Sequence, residues 1–303
     1  MKRSMPRSRY QPNLLDALIL LAAVGLILYL AFWFKSGTHY TWHWEVMSQY
    51  FLRYDPDLKQ WVPNLLLQGF IITIKISIWA TVLAIILGTM MGIVRTRPTL
   101  LSRLLGRTYV ELVRNVPPLV LIFIFYFFIS DQILGLIRID AIIRSGPNLV
   151  QSMVSVLFTP PEQINNFMAG LITLVIYEGA YITEIVRAGI ESIEREQWDA
   201  AKALGFTRRQ MMRHVILPQA LARNLPPLAG QLVSTIKDSA IVSVISIQEL
   251  TFQGLELMSA TYLTFEIWIT ITALYFILTF GCSLGVRRLE IMSRRHGTSY
   301  HHA

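Results

Sequence analysis

Hydrophobic residues gather along this chain into six long runs, separated by shorter stretches that carry most of the charge. The first run, 14–34, is almost uniformly apolar. The second starts near Asn64 and ends about Val94, entering through Gly69-Phe70-Ile71-Ile72 and leaving through Gly88-Thr89-Met90-Met91-Gly92. The third, from about Val116 to Leu136, opens on Pro117-Pro118 and holds Phe123, Phe125, Phe127 and Phe128. Glu178 and Glu184 interrupt the fourth, 167–186, and the fifth, about 225–250, contains Lys237 and Asp238. The sixth runs from about Leu263 to Val286. Such runs approach or exceed the roughly 17–25 residues needed to cross about 30 Å of hydrocarbon. The pattern predicts an all-α, polytopic membrane helical bundle with six transmembrane helices.

The stretches between the runs give the orientation. Lys and Arg number four in residues 1–13, five in 92–115, seven in 187–224 and four in 287–303. The alternate stretches hold three in 35–63, two in 137–166 and none in 251–262. This bias of 20 against 5 places both termini and the 187–224 connection in the cytoplasm. An odd number of spans spoils the alternation. On the outer side, Tyr40, Trp42, Trp44 and Tyr54 suit an interfacial helix or an aromatic belt. Residues 149–158 form an apolar run too short to span, between the turn signals Ser145-Gly146-Pro147 and Thr159-Pro160-Pro161.

Composition agrees with a membrane protein. Of 303 residues, 53% are hydrophobic and 15% charged, against about 25% charged in soluble chains. The net charge of +8 follows from the loops beside the spans and does not call for nucleic acid. Bulky residues at the end of the first run, Ile27 to Phe34, leave no small-x-small cleavage site, so it reads as an uncleaved span. The lone Cys282 allows no internal disulfide. No Gly-x-x-x-x-Gly-Lys-Ser/Thr and no His-Glu-x-x-His occurs, and the six histidines lie in loops or tails. Hence no catalytic site, cofactor or metal site is expected.

Charge inside a span is costly and therefore informative. Adjacent Lys237 and Asp238 diverge by about 100° on a helix and do not cancel face to face. They line a polar translocation path, or pair with neighbouring helices, Lys237 with Glu178 or Glu184. Glu178 and Tyr181, at i and i+3, share a helix face suited to an ammonium group, the alternative being a salt bridge. Lys75 is placed to snorkel toward the headgroups. Gly88 and Gly92 form a small-xxx-small pair for close helix packing. Pro226-Pro227 and Gly230 suggest that the fifth span begins irregularly.

The connection 190–223 is unlike a plain loop. Residues 191–204 are helix-compatible, and Ala200 and Ala201 leave their backbone open to a partner. Gly205 suits a helix C-cap, Thr207 an N-cap for a second short helix over 208–215, and Pro218 a turn toward the next span. Either a protein docks here or the hairpin lies on anionic lipid, which its six basic residues from Arg195 to Arg223 would favour.

The residues of this loop carry a family resemblance. Asp199-Ala200-Ala201, Gly205, Val215 and Leu217-Pro218 follow the pattern Glu-Ala-Ala, three residues, Gly, nine residues, Ile, one residue, Leu-Pro, with Asp for Glu and Val for Ile. Tyr109-Val110-Glu111-Leu112-Val113-Arg114-Asn115-Val116-Pro117-Pro118, Tyr181-Ile182-Thr183-Glu184 and Lys237-Asp238-Ser239 accompany it in order. Together they resemble the polar amino acid permeases of bacterial ABC importers, from about Gly69 to the end of the sixth span.

The resemblance implies a type I ABC importer permease in the bacterial inner membrane, and no enzyme. It implies a second permease subunit, identical or different, a cytoplasmic ABC ATPase dimer that receives the loop, and a periplasmic amino-acid-binding protein. Residues 63–290 would form the transmembrane domain, 1–62 an amino-terminal tail with an added first helix and outer connection, and 291–303 a flexible tail. The length of 138–166 and the acidic Glu178 depart from the family pattern. A membrane scaffold or sensor recruiting a cytoplasmic partner is the competing reading.

Overall fold

The computed structural model describes residues 14–37, 40–57, 59–130, 132, 134, 136 and 138–297. It divides into two units, Met1–His43 and Trp44–Ala303. In the first, the first apolar run forms one helix, α1 (Leu14–Gly37).

The second unit is built on a pair of long helices, α2 (Leu65–Arg95) and α7 (Ile164–Glu191). Small residues explain their close packing. Ala80, Ala84, Gly88 and Gly92 recur every fourth residue and are buried on one face of α2. A methyl group on Gly88 would stand 2.5 Å from Cγ2 of Ile182, and one on Gly92 would stand 2.7 Å from Cγ1 of Val186. The expected small-xxx-small contact is present. Two apolar clusters surround this pair. One joins Ile72, Ile76, Phe167, Leu171, Val242 and Ile245. The other joins Ala84, Ile182, Val186, Ile190, Ile193 and Ile216.

Four helical segments of the described residues are long and apolar enough to cross a membrane: Leu65–Arg95, Pro161–Glu191, Arg208–Ile245 and Thr264–Arg288. A fifth is possible as a broken pair, α3 (Leu100–Arg114) with α4 (Pro118–Ile124) and the wide helical turn Phe125–Ser130. The two arms meet at 110°. Pro117 sits at the corner in an extended conformation, and its ring keeps the residue before it out of the helix. The third apolar run thus supplies only the second arm, and the first arm forms from the basic connection before it, which the sequence pattern left outside any span. In α1 the described apolar stretch is Leu14–Leu26.

The connections expected on the outer side depart further from expectation. After a 3₁₀ turn, Trp44–Tyr50, the chain makes a hairpin of β1 (Leu52–Asp55) and β2 (Gln60–Pro63). Leu52 pairs with Pro63 and Tyr54 with Trp61, whose rings meet edge to face at 5.7 Å. Among the described residues the fold is therefore all-α apart from one small hairpin. Beyond α5 (Ile139–Arg144), the run 149–158 becomes α6 (Asn148–Leu157). Lys75 Nζ donates to the Ser155 carbonyl at 2.8 Å, and Trp79 Nε1 donates to Leu157 O at 3.0 Å, fastening α6 to α2.

The fifth run also differs. Two short helices, α8 (Arg195–Ala203) and α9 (Arg208–Met211), lead through a π turn, Met212–Ile216, straight into α10 (Leu217–Asp238). Pro218 stands in the first turn of α10 directly after the π turn, and the helical segment runs on through it instead of turning the chain. Pro226 and Pro227 lie inside α10 on exposed positions, and the helix continues through them. A 3₁₀ segment, Ser239–Ile245, follows, then α11 (Leu250–Thr261) and α12 (Thr264–Gly297). The last helix covers residues 291–297 of the expected tail, and 298–303 lie outside the described residues.

Candidate functional site

Two places concentrate the residues that the sequence singles out. The first is the loop between α7 and α10. Gly205 takes φ +77°, a left-handed conformation that suits glycine. The Phe206 N–H donates to Ala201 O at 3.2 Å and the Gly205 N–H to Lys202 O at 2.9 Å, which closes α8 with a Schellman motif. Thr207 then opens α9 with a full capping box: its hydroxyl accepts from the Gln210 N–H, and the Gln210 side chain accepts from the Thr207 N–H at 2.8 Å. Both caps follow the expected pattern. The break before α8 falls at Ser192–Glu194, so Glu191 belongs to α7.

Packing divides the loop residues. Ala201 is buried, and Val215 and Leu217 pack with Trp198 against Ile193 and Ile216. Asp199, Ala200, Gly205 and Pro218 are exposed. The expectation that both alanines stand open holds for Ala200 only, because Ala201 is buried. Arg223 Nη1 donates to Ser192 O at 2.5 Å, and Arg208 Nη2 to Thr96 O at 2.9 Å. Glu184 pairs with Arg95 and Arg187, and Arg187 also with Glu191. Lys237 is not the partner of Glu184.

The second place is the interior between α7 and α10. Glu178 is fully buried. Its Oε2 accepts a hydrogen bond from Gln231 Nε2 at 2.5 Å, while Oε1 is buried with no hydrogen-bond partner. Asp238, about two turns past Gln231 on α10, lies close enough for its charge to act on Glu178 and on Tyr177. No ion pair joins Glu178 to Lys237 among the described residues, and Lys237 is exposed. The reason is the 100° step between Lys237 and Asp238, which turns the acidic residue inward and the lysine out.

Tyr181 does not close over Glu178 directly. Its hydroxyl meets that of Tyr177 at 3.3 Å, and the Arg114 guanidinium sits 5.0 Å from its ring centroid. Tyr177, Gln231 and Arg114 escape a sequence reading because a tyrosine and a glutamine in a helix, or an arginine at a helix end, carry no spacing signal. Glu249 escapes for another reason. It is buried at the start of α11, accepting from the Phe252 N–H at 2.9 Å, Tyr275 OH at 2.7 Å and Thr73 Oγ1 at 3.2 Å. It ties α2, α11 and α12 together.

Comparison with known proteins matches residues 84–291 to the family described as "Binding-protein-dependent transport system inner membrane component". The chain is 32% identical over 227 residues to the probable glutamine ABC transporter permease protein GlnM of Bacillus subtilis, covering 75% of this chain and 92% of that protein. It is 31% identical over 234 residues to the glutamate/aspartate import permease protein GltJ of Escherichia coli K12, covering 77% and 87% respectively. Among solved structures, one described as an amino acid ABC transporter with histidines superposes with a TM-score of 0.62 at 29% identity, over 84% of this chain and all of that one. A bacterial importer of the acidic polysaccharide alginate, at 15% identity and TM-score 0.52, shares the fold. With its paired long apolar helices and capped loop, the chain belongs to the family of binding-protein-dependent transport system inner membrane components.

Proposed function

We propose that this chain is the permease subunit of an ABC importer that carries polar amino acids into the cytoplasm. The chain itself performs no ATP chemistry and takes a separate ATPase dimer, a second permease subunit, identical or different, and a periplasmic binding protein as partners. Six spans, counting α1 and the bent α3–α4 pair, put both termini in the cytoplasm of a cell with an inner membrane. The observation that carries this reading is the loop. An exposed α8 face with Asp199 and Ala200 is held at a set angle by the Gly205 cap and the Thr207 box, and Trp198 of α8 packs with Val215, Ile216 and Leu217 in the cluster that holds Ile182, Val186 and Ile190 of α7. A partner that moves α8 moves the helices behind it.

The same reading makes the Glu178 cluster a substrate contact. A buried carboxylate oxygen without a donor, with Asp238 nearby and tyrosine rings alongside, suits an α-amino group or a cationic side chain. Lys237, exposed beside it, is open to the path or to the second permease.

Reconstitution into vesicles tests the whole assignment. Uptake of labelled glutamine, glutamate, histidine or arginine should require ATP on the loop side and a binding protein on the other. Uptake equal with and without ATP would overturn it, as would failure to copurify with any ATPase.

A further inference from the structure

A cavity of about 760 Å³ opens where the end of α2, the start of α3 and the α9 turn converge. Its rim carries Arg97, Arg208, Arg209 and Arg213, and its floor is apolar, formed by Ile93, Met212 and Leu217. Among the described residues none of these four guanidiniums meets a carboxylate. The nearby acids Glu111, Glu184 and Glu191 are taken by Arg107, Arg95 and Arg187 instead. Four unneutralised cations around one cavity repel one another, and an anion relieves that repulsion.

The surroundings say what kind of anion. The spanning run of α2 ends at Arg95, between Ile93 and Thr96 of the cavity wall, so the cavity lies at headgroup depth. Helix α3 turns away from α4 by 110° and exposes Leu101, Leu104 and Leu105 on one side while its arginines take the other. That is the arrangement of a helix lying in the interface with leucines among acyl chains. A ligand here must be anionic at the rim and apolar behind it. The arginine bias makes this the cytoplasmic leaflet, where anionic lipids attract clustered Lys and Arg.

We propose that this cavity holds the headgroup of an anionic phospholipid of the cytoplasmic leaflet. The phosphate takes bidentate hydrogen bonds from the arginines, and the first acyl carbons cover Ile93, Met212 and Leu217. The site is separate from the Glu178 cluster and does not depend on which amino acid is carried.

Native mass spectrometry of the intact permease complex, titrated with phosphatidylglycerol or phosphatidylcholine, tests this. The wild type should retain phosphatidylglycerol at least tenfold more tightly. The triple variant Arg97→Gln, Arg209→Gln, Arg213→Gln should lose that preference, and Arg→Lys changes should keep part of it. Should the triple variant not assemble, Ser102→Asp adds a negative charge at the exposed rim and should lower retention likewise. A preference that survives both variants overturns the proposal, as does equal retention of the two lipids by the wild type. Inorganic phosphate bound as tightly as the lipid would assign the cavity to free anions. Loss of the ATPase from the variants with lipid preference intact would make it a protein contact. Either result also overturns the lipid site.

Discussion

At the scale of single residues, Gly205 and Glu178 bear the most. At φ +77° a β-branched side chain costs roughly 1 kcal/mol or more, and the Schellman closure that aims α8 would be lost. Gly205→Val should therefore abolish ATP-coupled uptake while the protein still inserts, measured as transport against membrane yield. Nothing lies within 4 Å of an added Cβ there, so the damage is conformational and not a clash. Glu178→Gln keeps the Gln231 contact by shape but removes the charge. As a ligand contact it should lower apparent affinity for cationic or α-amino groups by about tenfold, a loss of roughly 1.4 kcal/mol, with assembly intact. Because Lys237 does not reach Glu178, Lys237→Met should give no rescue in the double variant. Unchanged uptake in Glu178→Gln would remove it from the substrate path.

Among the elements, the α2–α7 pair was legible and the bent α3–α4 pair was not. Glycines four apart in an apolar run have one common use, and Gly88 and Gly92 serve it against Ile182 and Val186. Gly88→Leu should separate these helices and cost about 1–3 kcal/mol of overpacking, seen as loss of folded complex at lower temperature than wild type. The bend at Pro117 and the hairpin 52–63 were hidden because apolar runs and aromatic clusters report burial or interface, not direction. The continuous passage from α9 into α10 was hidden by Pro218, which starts or stops a helix with equal ease. Of the site, the loop caps could be read directly from Gly205 and Thr207. The partners of Glu178 could not, since Gln231 lies 53 positions away and only the helix crossing brings it near.

For the whole molecule, the distribution of arginine decides orientation. A reporter joined after Arg53 should face outward and one after Arg209 inward, and a periplasmic result at Arg209 would undo the topology and the leaflet assigned to the arginine cavity together. The segment Arg208–Ile245 adds a mechanical consequence. Pro218 at the loop and Gln231 at the buried carboxylate are thirteen residues apart on one helix, about 20 Å along its axis. With no break between them, a tilt at one end is a displacement at the other. On the proposed function linkage then works in both directions: an occupant beside Glu178 that favours one tilt changes how firmly the loop is gripped by the same free energy that the grip changes its occupancy.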